Sequence, residues 1–69
     1  MRDFKYKVLR RIGTISDDGK VSKQVNLISY NDRMPVIDIR RWKDGEMQKG
    51  ITLTEEEAWQ LVKVIQDNL

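Results

Sequence analysis

Val36-Ile37-Asp38-Ile39-Arg40-Arg41-Trp42 runs directly into Lys43-Asp44-Gly45-Glu46 and then into Met47-Gln48-Lys49-Gly50-Ile51-Thr52-Leu53. Read with period two, Ile37 and Ile39 share one face of a strand, and Asp38, Arg40 and Trp42 share the other. Asp44-Gly45 is the dipeptide of a two-residue hairpin loop. This stretch therefore commits the chain to antiparallel pairing, with a third strand over Val36–Trp42 and a short fourth over about Met47–Leu53. Gly50 is a candidate kink in the fourth strand.

The segment that follows has a different period. Thr54-Glu55-Glu56-Glu57 reads as a capping box, with the threonine oxygen on an early N–H and Glu57 reaching back. The three glutamates also lie at the positive end of the helix dipole. Ala58, Leu61, Val62, Ile65 and Leu69 continue at helical spacing as one apolar stripe, which predicts a helix from Glu55 to about Asn68.

Upstream, the punctuation is that of a meander. A first strand is expected over about Phe4–Ser16, with Phe4, Tyr6, Val8 and Ile12 on one parity, Arg10 interrupting, and Gly13 marking a bulge or bend. Asp17-Asp18-Gly19 is a turn whose glycine supplies a positive φ. A second strand is expected over about Val21–Tyr30, with Val25 and Leu27 on one face and Gln24, Asn26 and Tyr30 on the other. Asn31-Asp32-Arg33 is the next turn. The expected fold is α+β: a four-stranded antiparallel meander followed by one C-terminal helix, as a single domain over residues 1–69.

With 69 residues, a lone core supplies little net stability, and self-association is the expected remedy. The chain has neither cysteine nor histidine, which removes disulfides, thiolate metal sites and the commonest general base. No apolar run is long enough for a membrane span, and the first residues lack the apolar core of a signal peptide. A soluble, cytoplasmic location is expected. All but one of the 13 basic residues precede Thr54, whereas four of the 11 acids follow it. A basic body with an acidic tail suits a polyanionic partner on one surface.

The helix can cover only one face of the sheet, and the apolar one carries Val25, Leu27, Ile37 and Ile39. The opposite face then presents Gln24, Asn26, Tyr30, Asp38, Arg40 and Trp42. Rings stack on bases, and amides and guanidinium groups hydrogen-bond base edges and phosphates. Arg33, Lys43 and Lys49 would rim such a surface. The same residues also admit a purely structural account. Tyr30 and Trp42 can pack on a partner copy or on the first strand, and Arg40 can pair with Asp38. Lys5, Lys7, Arg10 and Arg11 are split between faces by alternation, and Trp59 lies off the main helical stripe as a helix–helix or dimer contact. The glutamates belong to the cap and Asp17 and Asp18 to a turn, so no catalytic pair, metal set or cofactor motif remains. A non-enzymatic binding protein is expected.

Ile37-Asp38-Ile39-Arg40 with an aromatic shortly after, Gly45-Glu46-Met47, and Lys49-Gly50-Ile51-Thr52-Leu53 before a capped helix resemble the C-terminal domain of the positive-cofactor-four transcriptional coactivators. Closer still are their bacterial YdbC-like relatives, through Ile12-Gly13-Thr14-Ile15-Ser16 and Asn26-Leu27-Ile28-Ser29-Tyr30-Asn31. The resemblance implies a homodimer of curved four-stranded sheets, each backed by a helix, whose channels take single-stranded DNA largely regardless of sequence. It implies stacking by Tyr30 and Trp42, and contacts from Lys23, Arg33, Arg40 and Lys49; Gln24 and Asn26 on the exposed face and Asn31 and Lys43 in the turns complete the expected site. Transcription or repair proteins are further expected partners. Alternative readings are a protein-interaction module of the transcription machinery and an RNA-binding protein. The family's lysine- and glycine-rich turn is replaced here by Asn31 and Asp32, and Met34-Pro35 precedes the third strand.

Overall fold

The computed structural model describes residues 5–69, so the expected start of the first strand at Phe4 lies outside the described residues. Four strands, β1 (Tyr6–Asp17), β2 (Val21–Tyr30), β3 (Val36–Lys43) and β4 (Glu46–Leu53), form one open antiparallel sheet in the order β1-β2-β3-β4. Helix α1 (Glu55–Asn68) follows at once.

Each turn is built from the residues that tolerate it. Asn31 and Asp32 have φ of 51° and 62°, and Arg33 N donates to Tyr30 O at 2.9 Å across them. Asp44 and Gly45 have φ of 52° and 78°, which makes the predicted two-residue loop. Asparagine, aspartate and glycine are the residues for which this region is least costly. In the first hairpin, Asp18 accepts from the N–H groups of Lys20 and Val21 at 2.9 and 2.8 Å, and Gly19 takes φ 94°. Those backbone donors hold the Asp18 carboxyl below its ordinary range. At the helix, Glu57 N donates to Thr54 Oγ1 (3.1 Å) and Thr54 N donates to Glu57 Oε1 (2.8 Å), so the capping box is complete.

β1 departs from the sequence expectation. Its pairing with β2 slips at Leu9, Ile12 and Ile15, giving three irregularities where Gly13 alone suggested one. Every slip exchanges the faces. Tyr6, Val8, Arg11, Thr14 and Asp17 therefore align with Tyr30, Ile28, Asn26, Gln24 and Ser22, whereas Arg10, Gly13 and Ser16 align with Leu27, Val25 and Lys23. Ile12 does not stay on the face of Tyr6 and Val8; it lines the groove beneath α1.

The bulges accompany a strong curl. Tyr6 pairs with Tyr30 at one end of β2, and Trp42 pairs with Ser22 at the other, roughly 26 Å away along a flat strand. Their ring centroids nevertheless lie 6.2 Å apart. The sheet has closed its concave face on itself, and the deepest burial is there: Ile28 and Asp38 are 0 % exposed and Asn26 1 %. The helix-side residues Val25, Leu27, Ile37 and Ile39 are only half-buried, and no residue of α1 is buried. The side left free by the helix is thus the more deeply buried of the two at its centre.

Candidate nucleic-acid interface

The concave face is organised around Asp38. Its carboxylate accepts from Tyr30 Oη at 2.5 Å, from Arg40 Nε at 2.6 Å and from Arg40 Nη2 at 2.7 Å. Arg40 Nη1 donates to the Gln48 carbonyl at 2.8 Å. That carbonyl is available because the β3–β4 register slips between Arg40↔Gly50 and Trp42↔Met47. Gly50 permits the close approach: a Cβ there would collide with the Cβ of Arg40 and lie 2.5 Å from the Ile39 carbonyl oxygen.

The alternation that placed Asp38 and Arg40 side by side thus yields an ion pair. Among the described residues, two of the five Arg40 N–H groups are not taken by these bonds, and its side chain is 15 % exposed. Donating hydrogen bonds to Asp38 raises the Arg40 pKa further. Burial, and then the bond to Asp38 and its charge, push the Tyr30 hydroxyl far above its ordinary value. Both shifts favour the protonated forms, phenol and guanidinium, that make these hydrogen bonds.

Beside this hub the rings form one cluster. Tyr6 lies 6.4 Å from Tyr30 with planes at 43°, and 6.2 Å from Trp42 with planes at 62°. Distances and tilts of this kind suit aromatic packing. A polar ladder runs along β2: Gln24 Nε2 donates to Ser22 Oγ at 2.8 Å, and Asn26 Nδ2 donates to Gln24 Oε1 at 3.3 Å. The ladder and the rings of Tyr6 and Trp42 line an open cleft of about 420 Å³ that also reaches Val8 and Arg11, with Tyr30 packed on Tyr6 beside it.

Five of the ten expected site residues, Gln24, Asn26, Tyr30, Arg40 and Trp42, share this face. Asn31 and Arg33 sit in the turn at its Tyr30 end, where Asn31 Oδ1 also accepts from Lys5 N at 3.1 Å and ties down the start of β1. Lys23 and Lys43 point to the helix side, Lys23 opposite Arg41 and Lys43 opposite Val21. Lys49 is exposed at the irregular stretch of β4. The basic pairs of β1 are split as expected, with Arg11 turned to the cleft and Arg10 to the helix side. Sequence reasoning missed Tyr6, Ser22 and Arg11 as cleft residues. The aromatic character of Tyr6 was visible, but its place depends on the curl and on the slipped register.

Residues 16–64, from the end of β1 through most of α1, match the family model of transcriptional coactivator p15 (PC4). The chain belongs to that family. The family is associated with single-stranded DNA binding and transcription coactivation, and its domain is non-enzymatic. A relative in Treponema pallidum (strain Nichols), described only as uncharacterized, is 43 % identical over 58 residues, covering 80 % of this chain and 68 % of its own. The matched segment carries the Tyr30–Asp38–Arg40 hub and Trp42, whereas Tyr6 and Arg11 precede it.

Proposed function

We propose that this protein binds single-stranded DNA in the concave cleft, without strong dependence on sequence, and performs no catalysis. The observation that carries the reading is the joined ring cluster of Tyr6, Tyr30 and Trp42 beside a polar floor. Each exposed ring face offers stacking of about 1–3 kcal/mol per base. The spare N–H groups of Arg40, with Arg33 and Arg11 at the margins, hold backbone phosphates. Lys49 extends the path at β4. Lys23 and Lys43, on the helix side, lie outside this path.

The working unit is a homodimer. Trp59 is 66 % exposed, and Leu61, Val62, Val64 and Ile65 are open as well, so α1 presents its apolar stripe to solvent. Between α1 and the sheet lies a groove of about 510 Å³ bordered by Ile12, Leu27, Ile37 and Val62. A second copy covers both.

Titration with oligo-dT in a Trp59→Phe background tests the reading, because Trp42 is then the sole indole. The expected result is quenching, with log affinity falling against log salt by about 0.7 per phosphate contacted. Replacing both Tyr30 and Trp42 by alanine, followed by anisotropy of a labelled strand, is expected to weaken binding at least tenfold. Unchanged affinity in a folded double variant removes the stacking mechanism.

A further inference from the structure

We propose that the floor of the cleft reads the edge of a single nucleobase through Asn26 and Trp42, and that thymine is the base it prefers. This rests on the single-stranded DNA reading and goes beyond it, because stacking alone tolerates every base.

Two buried polar atoms carry the inference. Asn26 Oδ1 accepts no hydrogen bond among the described residues, and Trp42 Nε1 donates none. Buried polar groups of this kind are rare, because each forfeits its bonds to water. Here one acceptor and one donor belong to residues lining the same cleft. The Asn26 amide is oriented by its bond to Gln24 Oε1, and Gln24 by its bond to Ser22 Oγ. That leaves the Asn26 carbonyl and the second Nδ2 hydrogen of the same amide unmatched. A carbonyl oxygen repels a phosphate oxygen, and internal nucleotides of DNA carry no free hydroxyl, so the donor that a DNA strand offers Asn26 Oδ1 is a base N–H.

An amide acceptor beside an amide donor complements a base edge in which an N–H adjoins an acceptor. Thymine presents N3–H between two carbonyls and meets that pair whichever way its ring enters. Cytosine presents its amino group and N3 in one order only. Neither orphaned atom reaches solvent in the free chain, so an arriving base must move a wall of the cleft. Tyr6 is the wall on the Trp42 side: it lies on edge strand β1, packs on Trp42 and is 40 % exposed, whereas Arg11 lies opposite Asn26.

The test compares labelled oligo-dT and oligo-dC of equal length, which match in charge and ring size, on the full chain and on Asn26→Leu. The native chain is expected to favour oligo-dT about tenfold, the scale of one good base-edge contact. Asn26→Leu is expected to bind both alike, with unchanged salt dependence; because the change also removes the donor to Gln24 Oε1, circular dichroism checks that the variant is folded. Trp42→Phe keeps a ring, lacks the N–H, and is expected to narrow the preference several-fold. Equal binding of the two strands by the native chain, or a preference that persists in Asn26→Leu, overturns the inference and leaves the stacking platform standing. Failure of the native chain to bind either strand instead overturns the single-stranded DNA reading.

Discussion

Asp38 is the residue on which the concave face turns. It is buried, it holds a guanidinium through two oxygens, and it accepts a phenol as well. Replacing one member of a buried pair leaves the other uncompensated, which costs about 3–5 kcal/mol. Asp38→Asn is therefore expected to lower urea-unfolding stability by about 3 kcal/mol. Tyr30→Phe loses one hydrogen bond to a buried charge and should cost about 1–2 kcal/mol. The Tyr30 pKa is raised on folding, so its share of stability is complete below the unfolded value near 10 and fades as pH rises beyond it. The stability gap between the native chain and Tyr30→Phe should thus narrow above about pH 10 in pH-resolved unfolding curves. A constant gap would show that the phenol proton is not what Asp38 holds. At this scale the sequence was partly legible. Two residues apart on one strand face, Asp38 and Arg40 were readable as a pair, but the Gln48 carbonyl that completes the arginine arises only from a register slip.

The elements themselves follow from local chemistry, and their sequence expectations hold where a turn or cap is self-contained. Asp44-Gly45, Asn31-Asp32 and the Thr54 box are short-range devices, and β2 and α1 match the expected spans. β1 was legible only as a strand, because three bulges interrupt its period and no local residue pattern fixes where the slips fall. The glycines sharpen the point. Gly13 drew attention as a bend, yet a Cβ there meets nothing within 4 Å, whereas Gly50 has no room for one. Gly13→Ala is expected to be nearly neutral, and Gly50→Ala to cost about 3 kcal/mol by forcing β3 and β4 apart. Thermal unfolding of the two variants decides this, and equal midpoints would contradict the assigned contact. The depressed pKa of Asp18 makes the first hairpin acid-sensitive: its contribution is present above the ordinary value near 4 and is lost as pH falls below it. Asp18→Asn should accordingly separate from the native chain at neutral pH and converge with it in acid.

At the scale of the whole molecule the distribution of burial is inverted relative to a simple two-layer domain. The polar, ring-bearing face is curled and deeply buried at its centre, while the apolar side and α1 remain open. Sequence alternation identified the two faces of β2 and β3, but not those of β1 nor which face would bury more, because slips and curl are properties of the assembled sheet. The open apolar side leads to the expectation that the unfolding midpoint rises with protein concentration, as mass action requires of a dimer. Trp59→Glu should abolish that dependence in calorimetry. The central claim is that the concave face, rather than the helix side, takes the strand. Backbone amide chemical shifts followed during titration with oligo-dT test it most directly. The account predicts the largest changes at Tyr6, Gln24, Asn26, Tyr30, Arg40 and Trp42, with α1 little affected. Changes centred on α1 and the helix-side residues Val25, Leu27, Ile37 and Ile39, with the cleft silent, would contradict it.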